Sequence, residues 1–163
     1  MVQEKDTGVQ MKYLIFKINN ESYGVPISQV REIIQSIKIT PVHESNLFLK
    51  GVINLRGKII PIIDMRLKFG LKERLYDDRT LFIIVEIIQE EQNILVGMAV
   101  DSVHDVESIL EKNLEKTPEI GLKLKSQYLY GITQIKNKMV MILNIDQVLS
   151  SDDFINISQI TAR

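Results

Sequence analysis

The chain has 163 residues, of which 45% are hydrophobic and 25% charged, and it contains no cysteine. A chain of this length and hydrophobicity can bury a core, so we expect one compact domain or two very small ones. Its 20 basic and 21 acidic residues nearly cancel, which excludes the strong basic field typical of nucleic-acid and anionic-membrane binders. The lack of cysteine excludes disulfide scaffolds and thiolate zinc sites, and it favours a reducing compartment, with the cytoplasm as the expected location.

The two ends of the chain are polar. The start, MVQEKDTGVQ, lacks the apolar stretch of a signal peptide, and the longest apolar runs of the chain are too short to cross a bilayer. We therefore expect a domain at residues 11–150, flanked by loosely ordered termini at 1–10 and 151–163, with no direct membrane insertion.

The first elements are a hairpin and a short helix. Strand patterns at Met11–Ile18 and Tyr23–Pro26 predict the hairpin. After it, Ser28 is a suitable N-cap for a helix over Gln29–Gln35, in which apolar residues fall at helical spacing.

The segment GVINLRGKIIPIIDMRLKFG, residues 51–70, carries the strongest local signals. It predicts strands at Val52–Arg56 and Ile59–Asp64, joined by a type II′ turn at Gly57-Lys58. Alternation places a guanidinium and an amide on the less buried face, and Pro61 predicts an edge strand or a bulge because it cannot donate a ladder hydrogen bond. Asp64 should cap a helical turn at Met65–Lys68 that ends at Gly70.

The second half begins with another predicted hairpin, from Thr80–Ile88 and Ile94–Val100. Residues 108–126 are charged, weakly periodic and interrupted by Pro118 and Gly121, which predicts a long connecting loop with one helical turn. A last short helix is expected at Asp146–Leu149.

Two alignments of the chain with itself indicate an internal duplication. At a spacing of 80, LKGVINLRGKIIPIID (49–64) aligns with LYGITQIKNKMVMILN (129–144), and at 73, GVPISQVREI (24–33) aligns with GMAVDSVHDV (97–106). Each half, approximately 11–75 and 78–150, thus predicts a small barrel of four or five strands with few short helices. Because a barrel of this size is marginal alone, we expect the two to share a hydrophobic core. The alternative is chance similarity between strands separated by turns.

The residues that carry chemistry do not cluster in the sequence. His43 and His104 are far apart and lack a second histidine at helical spacing, so no metal site is expected. No nucleophile motif is present, and the pairs Asp77-Asp78 and Asp152-Asp153 are typical of turns. Residues Gly51–Lys58 miss the phosphate-binding loop by one residue and lack its Ser or Thr. We expect neither catalysis nor a cofactor, and the absence of Trp argues against stacking on nucleic acid.

Taken together, these motifs resemble the CheW family of chemotaxis coupling proteins over residues 11–150. The specific stretches are GVINLRGKIIPIIDMRLKFG and YGVPISQVREII, with Met65 where Leu is more usual, and LVGMAVDSVHDV in the second half. The resemblance implies two linked five-stranded SH3-like barrels. It also implies a non-catalytic adaptor (scaffold) that couples the cytoplasmic tips of methyl-accepting chemoreceptors to the regulatory domain of the histidine kinase CheA.

The resemblance also implies site residues. Its receptor-binding positions correspond here to Val30, Glu32, Ile33, Arg56 and Leu81, and we expect Arg56 to bond a carboxylate or carbonyl on the receptor, held in place by Glu32. The alternatives are a surface arginine that merely pairs with Glu32, and core packing for the two apolar residues of the first short helix.

For the kinase, which is expected to dock barrel to barrel, the residues nominated are Gly97, Val103 and Val106. Gly51 and Gly57 are expected to serve backbone geometry at turns. Two other functions stay open: a CheW-like module of a larger two-component protein, and a small-barrel binding domain for an unrelated ligand.

Overall fold

A computed structural model describes residues 9–42, 47–116 and 126–149. These residues are mainly β and form ten strands: β1 (Gln10–Ile18), β2 (Glu21–Pro26), β3 (Val30–Gln35), β4 (Leu49–Leu55), β5 (Lys58–Asp64), β6 (Leu81–Gln89), β7 (Gln92–Val100), β8 (Ser102–Leu110), β9 (Leu129–Ile135) and β10 (Lys138–Leu143). Helices α1 (Met65–Lys68) and α2 (Ile145–Val148) follow β5 and β10, and single 3₁₀ turns lie at Ile27–Gln29, Glu111–Asn113 and Ser126–Tyr128.

The strands form two five-stranded sheets, with the order β8-β1-β2-β10-β9 in sheet 1 and β3-β6-β7-β5-β4 in sheet 2. Each sheet takes strands from both halves of the chain, so the expected barrels at 11–75 and 78–150 do not coincide with the sheets. The exchange occurs where β10 pairs in parallel with β2 and β5 pairs in parallel with β7. Hairpins are fixed by local turns, whereas these parallel pairs join distant segments, and sequence patterns leave such pairing open.

The predicted duplication is a repeat in three dimensions. β4, β5 and α1 recur 80 residues later as β9, β10 and α2, and the N-caps Asp64 and Asn144 are related by the same offset. Gly24 lies against Ile142 and Gly97 against Ile62 at the two parallel crossings, where an added Cβ would approach the isoleucine Cδ1 atoms to 2.8 and 2.5 Å. Sheet 1 therefore matches sheet 2 strand for strand, in the order given above.

Alternation along the strands divides the core into three layers. On β1, Leu14, Phe16 and Ile18 enter a layer shared by both sheets, whereas Tyr13 and Ile15 enter a layer belonging to sheet 1. The equivalent strand β6 divides in the same way, with its own inner layer in sheet 2. The predicted shared core is confirmed, and it accounts for the excess of aliphatic residues over what one small barrel needs.

The hairpin turn between β4 and β5 differs from the prediction by one residue. Leu55 pairs with Lys58, so the loop is Arg56-Gly57, and both residues have positive φ, at 51° and 85°. This is the pattern of a type I′ turn, and the predicted type II′ turn at Gly57-Lys58 is wrong. Pairing of Ile53 with Ile60 on the buried face sets the register. Other two-residue loops with two positive φ angles join β1 to β2, β6 to β7 and β9 to β10: Asn19-Asn20, Glu90-Glu91 and Lys136-Asn137.

The helix predicted over Gln29–Gln35 is wrong, because Ile27–Gln29 form a 3₁₀ turn and β3 follows immediately. β3 is rich in β-branched residues and pairs antiparallel with β6, whose Ile83 lies opposite Ile33. Strand pairing therefore outweighs the helical spacing of three apolar residues.

Pro61 lies in the interior strand β5, between β4 and β7, so the edge alternative is wrong. The pairing of β4 with β5 does contain an irregularity, on β4 between Leu49 and Gly51. Pro61 pairs with Val52, whose backbone N–H and C=O instead exchange bonds of 2.9 and 2.8 Å with Thr40. The Val52–Pro61 pair is thus one without mutual hydrogen bonds, and the parallel pairs with β7 begin only at Ile62. No ladder donor is missed at this position.

Helix α1 forms as predicted, since Asp64 Oδ1 accepts a 3.1 Å hydrogen bond from the Leu67 N–H and Gly70 follows with a φ of 76°. The last helix begins one residue earlier than expected, at Ile145. The predicted loop 108–126 is wrong in its first part, because Ser108–Leu110 end β8. Pro118 and Gly121, like the terminal segments 1–8 and 150–163, lie outside the described residues.

Candidate functional site

Arg56 sits at the tip of the β4–β5 turn, with 69% of its side chain exposed. Its guanidinium donates two hydrogen bonds to the carboxylate of Glu32 on β3, from Nη1 to Oε2 at 3.1 Å and from Nη2 to Oε1. β3 and β4 are the outermost strands of sheet 2, so the pair joins opposite edges of a curled sheet. A forked, charge-assisted contact fixes the guanidinium plane although the side chain is exposed.

Each charge of this pair affects the other. Its hydrogen bond with Arg56 lowers the pKa of the Glu32 carboxyl below its ordinary value, and the same contact raises the pKa of Arg56. Both groups therefore stay charged at neutral pH. The pair occupies two of the five N–H donors of the guanidinium, which leaves donors for a partner.

The pair borders a groove at the open mouth of sheet 2, which we call the Arg56 groove. Its rim carries Lys58 and a second ion pair, in which Arg31 Nε donates to Glu86 Oε1 at 2.6 Å. Its floor is formed by Ile60 and Ile84, two buried residues of the inner layer of sheet 2. The groove thus combines an apolar floor with a rim whose acids are already paired.

The other expected receptor residues lie apart from this groove. On the edge strand β3, Ile33 points outward and is 41% exposed, whereas Val30 is half-buried and packs on the shared core. Leu81 opens β6 opposite Gln35 and also packs, half-buried, on the shared core. The structure therefore brings Glu32 and Arg56 together and leaves Ile33 accessible. It gives Val30 the packing role stated as its alternative, and Leu81 packs on the same core.

Of the three expected kinase-binding residues, Gly97 is misplaced. It is buried in the middle of β7 against Ile62, so it serves the close approach of two strands and cannot touch a partner. Val103 is half-buried against the shared core, and Val106, further along the edge strand β8, is 47% exposed. Buried and exposed strand positions look alike in sequence, which explains the error.

Of the two glycines expected at turns, Gly57 lies in the β4–β5 turn, whereas Gly51 lies within strand β4, so a turn at Gly51 is wrong. At Gly51, φ is 146° and an added Cβ would lie 2.1 Å from the carbonyl oxygen of Thr40. At Gly57, φ is 85° and nothing lies within 4 Å of an added Cβ. Gly51 is thus required by close packing and Gly57 by backbone conformation alone.

A second ionic cluster joins the two sheets. Asp101, directly after β7, accepts bonds of 2.8 Å from Arg66 Nη1 on α1 and from the backbone N–H of Asn19 in the β1–β2 turn. Nearby, the buried Asp64 accepts a 2.8 Å bond from the Tyr76 hydroxyl, whose pKa is raised by burial and by the charge of Asp64. These contacts hold elements of the two sheets together. The sequence patterns had not indicated either of them, because both partners come from distant segments.

No group of three His, Cys, Asp or Glu side chains suited to a metal ion occurs within residues 9–42, 47–116 and 126–149. In the same ranges, no helix has the length and hydrophobicity needed to span a bilayer. What these residues offer is a set of grooves and strand edges.

Comparison with known proteins identifies the family. The model of the CheW-like domain matches residues 12–153. The chain belongs to the CheW-like family. It is 37% identical to the chemotaxis protein CheW of Klebsiella aerogenes, over 89% of this chain and 85% of that protein. It is 32% identical to that of Bacillus subtilis, over 93% and 94%. The scaffolding protein TtCheW of Thermoanaerobacter tengcongensis superposes with a TM-score of 0.77 at 33% identity, covering 89% of this chain and 91% of that one.

Membership of the CheW-like family agrees with the architecture, because the structural relative has the same pair of SH3-like sheets. It also makes this chain a non-catalytic scaffold or adaptor of chemotaxis. The geometry of the Arg56 groove can therefore be considered as a surface for protein binding.

Proposed function

We propose that this CheW-like chain is a cytoplasmic adaptor that couples the signalling tips of methyl-accepting chemoreceptors to the regulatory domain of the histidine kinase CheA. The observation that carries the proposal is the fixed guanidinium of Arg56, held by Glu32 at the rim of a groove with an apolar floor. A cation that is already oriented loses little conformational freedom when a partner binds.

The receptor contacts the face around β3 and the Arg56 groove. Arg56 donates its remaining hydrogen bonds to a carboxylate or to a backbone carbonyl on the receptor's helical hairpin, while Ile33 supplies apolar contact. Val30 and Leu81, half-buried on the shared core, support this face and contribute their accessible edges. Glu32 keeps the guanidinium in place and balances its charge in the absence of the receptor.

The kinase docks one of its own small barrels on the edge strand β8. Val106 is the exposed apolar residue of that strand, and Val103 supports it from the shared core. An edge strand offers backbone groups as well as side chains to a second sheet. Gly97 takes no part, since it is buried.

Binding measurements with purified proteins test this function. The chain should bind a receptor cytoplasmic fragment and the kinase regulatory domain separately, and it should raise kinase autophosphorylation only when receptor, kinase and adaptor are mixed. Failure to bind either partner at micromolar concentrations would refute the proposal. The kinase mixed with receptor alone is the control.

A further inference from the structure

Sheet 1 carries a groove equivalent to the Arg56 groove. The offset of 80 relates Arg56 to Lys136 and Lys58 to Lys138, and the floor residue Ile60 to Val140. We call the sheet 1 cleft the lysine groove; its rim carries Lys17, His104, Lys136 and Lys138, and its floor is Ile15 and Val140. The internal duplication thus produces two grooves of the same construction.

The rim charges of the two grooves are arranged differently. In the Arg56 groove both acids are paired, Glu32 with Arg56 and Glu86 with Arg31. Ile84 on β6 pairs with Gly97, and the equivalent Ile15 on β1 pairs with Gly24. Two residues after each isoleucine comes a charged residue, Glu86 in the Arg56 groove and Lys17 in the lysine groove.

No ion pair involves the three rim lysines within the described part of the chain. Asp105 and Glu107 also border the lysine groove, so its rim has three ammonium groups against two carboxylates. Lys136 and Lys138 are exposed and Lys17 is half-buried, and cations without an ion-pair partner attract anionic groups.

The floor of the lysine groove is apolar. Ile15 and Val140 belong to the inner layer of sheet 1, and Ile135 packs against that layer. The cleft has a volume of about 170 Å³, which accommodates one aliphatic side chain. An occupant must therefore carry both an apolar group and negative charge, which distinguishes a peptide from a simple inorganic anion.

We propose that the lysine groove is a second docking site, which takes an acidic segment of a partner protein. An aliphatic side chain of that segment enters the cleft above Ile15 and Val140, and carboxylates on either side pair with Lys17, Lys136 and Lys138. The site lies on the other sheet from Arg56, so an adaptor can occupy both grooves at once.

The probe for this site is a fluorescein-labelled peptide, Gly-Glu-Glu-Leu-Glu-Glu-Gly, titrated with the full chain by fluorescence anisotropy. Lys138→Gln should weaken binding about threefold, and Lys136→Gln combined with Lys138→Gln about tenfold, as for exposed charge pairs. The matched control is Lys58→Gln, the equivalent position in the Arg56 groove, which should leave the affinity unchanged. In amide NMR spectra the peptide should shift His104 and Lys136 and leave Arg56 unmoved.

Peptides with Ser in place of Leu, or Gln in place of Glu, should each bind about tenfold more weakly, because the first lacks the apolar side chain and the second lacks the carboxylates. The lysines of the β9–β10 turn are exposed, so unchanged melting curves can establish that the variants fold. The proposal is overturned if no binding is detected at millimolar peptide, or if Lys58→Gln weakens binding as much as Lys138→Gln. It is also overturned if phosphatidylglycerol vesicles or a single-stranded oligonucleotide displace the peptide with the same dependence on the lysines.

Discussion

Arg56 is held by its backbone as well as by its side chain. A non-glycine residue with a φ of 51° is uncommon, and here the two-residue turn requires it. The turn directs the side chain across the open end of sheet 2, where it donates a hydrogen bond to Glu32 on the opposite edge strand. The position of one guanidinium therefore depends on the closure of the whole sheet.

Charge reversal at this residue tests receptor binding. Arg56→Glu should weaken binding of a receptor cytoplasmic fragment at least tenfold, or about 1.4 kcal/mol, because it removes the donors and places a second carboxylate beside Glu32. Kinase affinity and the melting temperature should hardly change, since the side chain is exposed. The control is Lys112→Glu, a charge reversal at an exposed residue outside both grooves. A parallel loss of both affinities together with a lower melting temperature would make Arg56 a structural residue.

The ion pair also predicts a pH dependence. Because Arg56 lowers the pKa of folded Glu32, the stabilisation from this pair is fully present above the unfolded pKa of the carboxyl and is lost as pH falls through the lower folded value. Side-chain NMR titration should give a pKa below the ordinary 4.5 for Glu32 in the native chain. In Arg56→Gln it should return to the ordinary range. An unchanged value in the variant would show that the pair does not persist in solution.

Local turn residues determine where the hairpins form, but they do not determine the structure of strand β3. Two-residue turns with Gly or Asn at positive φ fix β4–β5 and β9–β10, so the sequence locates these hairpins to within one residue. For residues 29–35 the sequence patterns predict a helix, because the stabilising pairing with β6 comes from a segment some 50 residues away. Helix spacing and a half-buried edge strand cannot be separated over so few residues.

Gly51 in strand β4 and Gly57 in the β4–β5 turn should differ in their cost of substitution. Gly57→Ala meets no neighbouring atom and suffers only from its left-handed backbone, so we expect a loss of about 1 kcal/mol in the free energy of unfolding. Gly51→Ala places Cβ against the Thr40 carbonyl and should cost considerably more, because backbone atoms must move. Urea denaturation of both variants measures the difference. Equal losses would mean that the contact with Thr40 is not maintained.

At the scale of the whole molecule, the two sheets depend on each other. Each combines strands from both halves of the chain, and they share a layer of buried side chains between them. Barrels of this size are only marginally stable alone, because they bury a small fraction of their surface. The shared layer therefore connects the sheet that carries the Arg56 groove with the sheet that carries β8.

Division of the chain tests the exchange of strands. Fragments 1–76 and 77–163, produced separately, should each lack the dispersed amide spectrum of a folded β protein, because neither contains a complete sheet. Mixed or co-expressed, they should associate and recover the native spectrum. If one fragment folded alone into a stable barrel, the pairing of β5 with β7 and of β10 with β2 would not be essential.

The sequence by itself determined the class of structure: mainly β, duplicated, with turns, caps and alternating faces that local chemistry fixes within a few residues. The resemblance of its motifs also indicated Glu32 and Arg56 as candidate receptor-binding residues. Only the tertiary structure decided which strands pair across the duplication, that Gly97 is buried, and that two equivalent grooves differ in their ion pairs. The physical reason is that turns and caps are satisfied within a few neighbouring residues, whereas burial, parallel pairing and charge contacts join segments far apart in the chain.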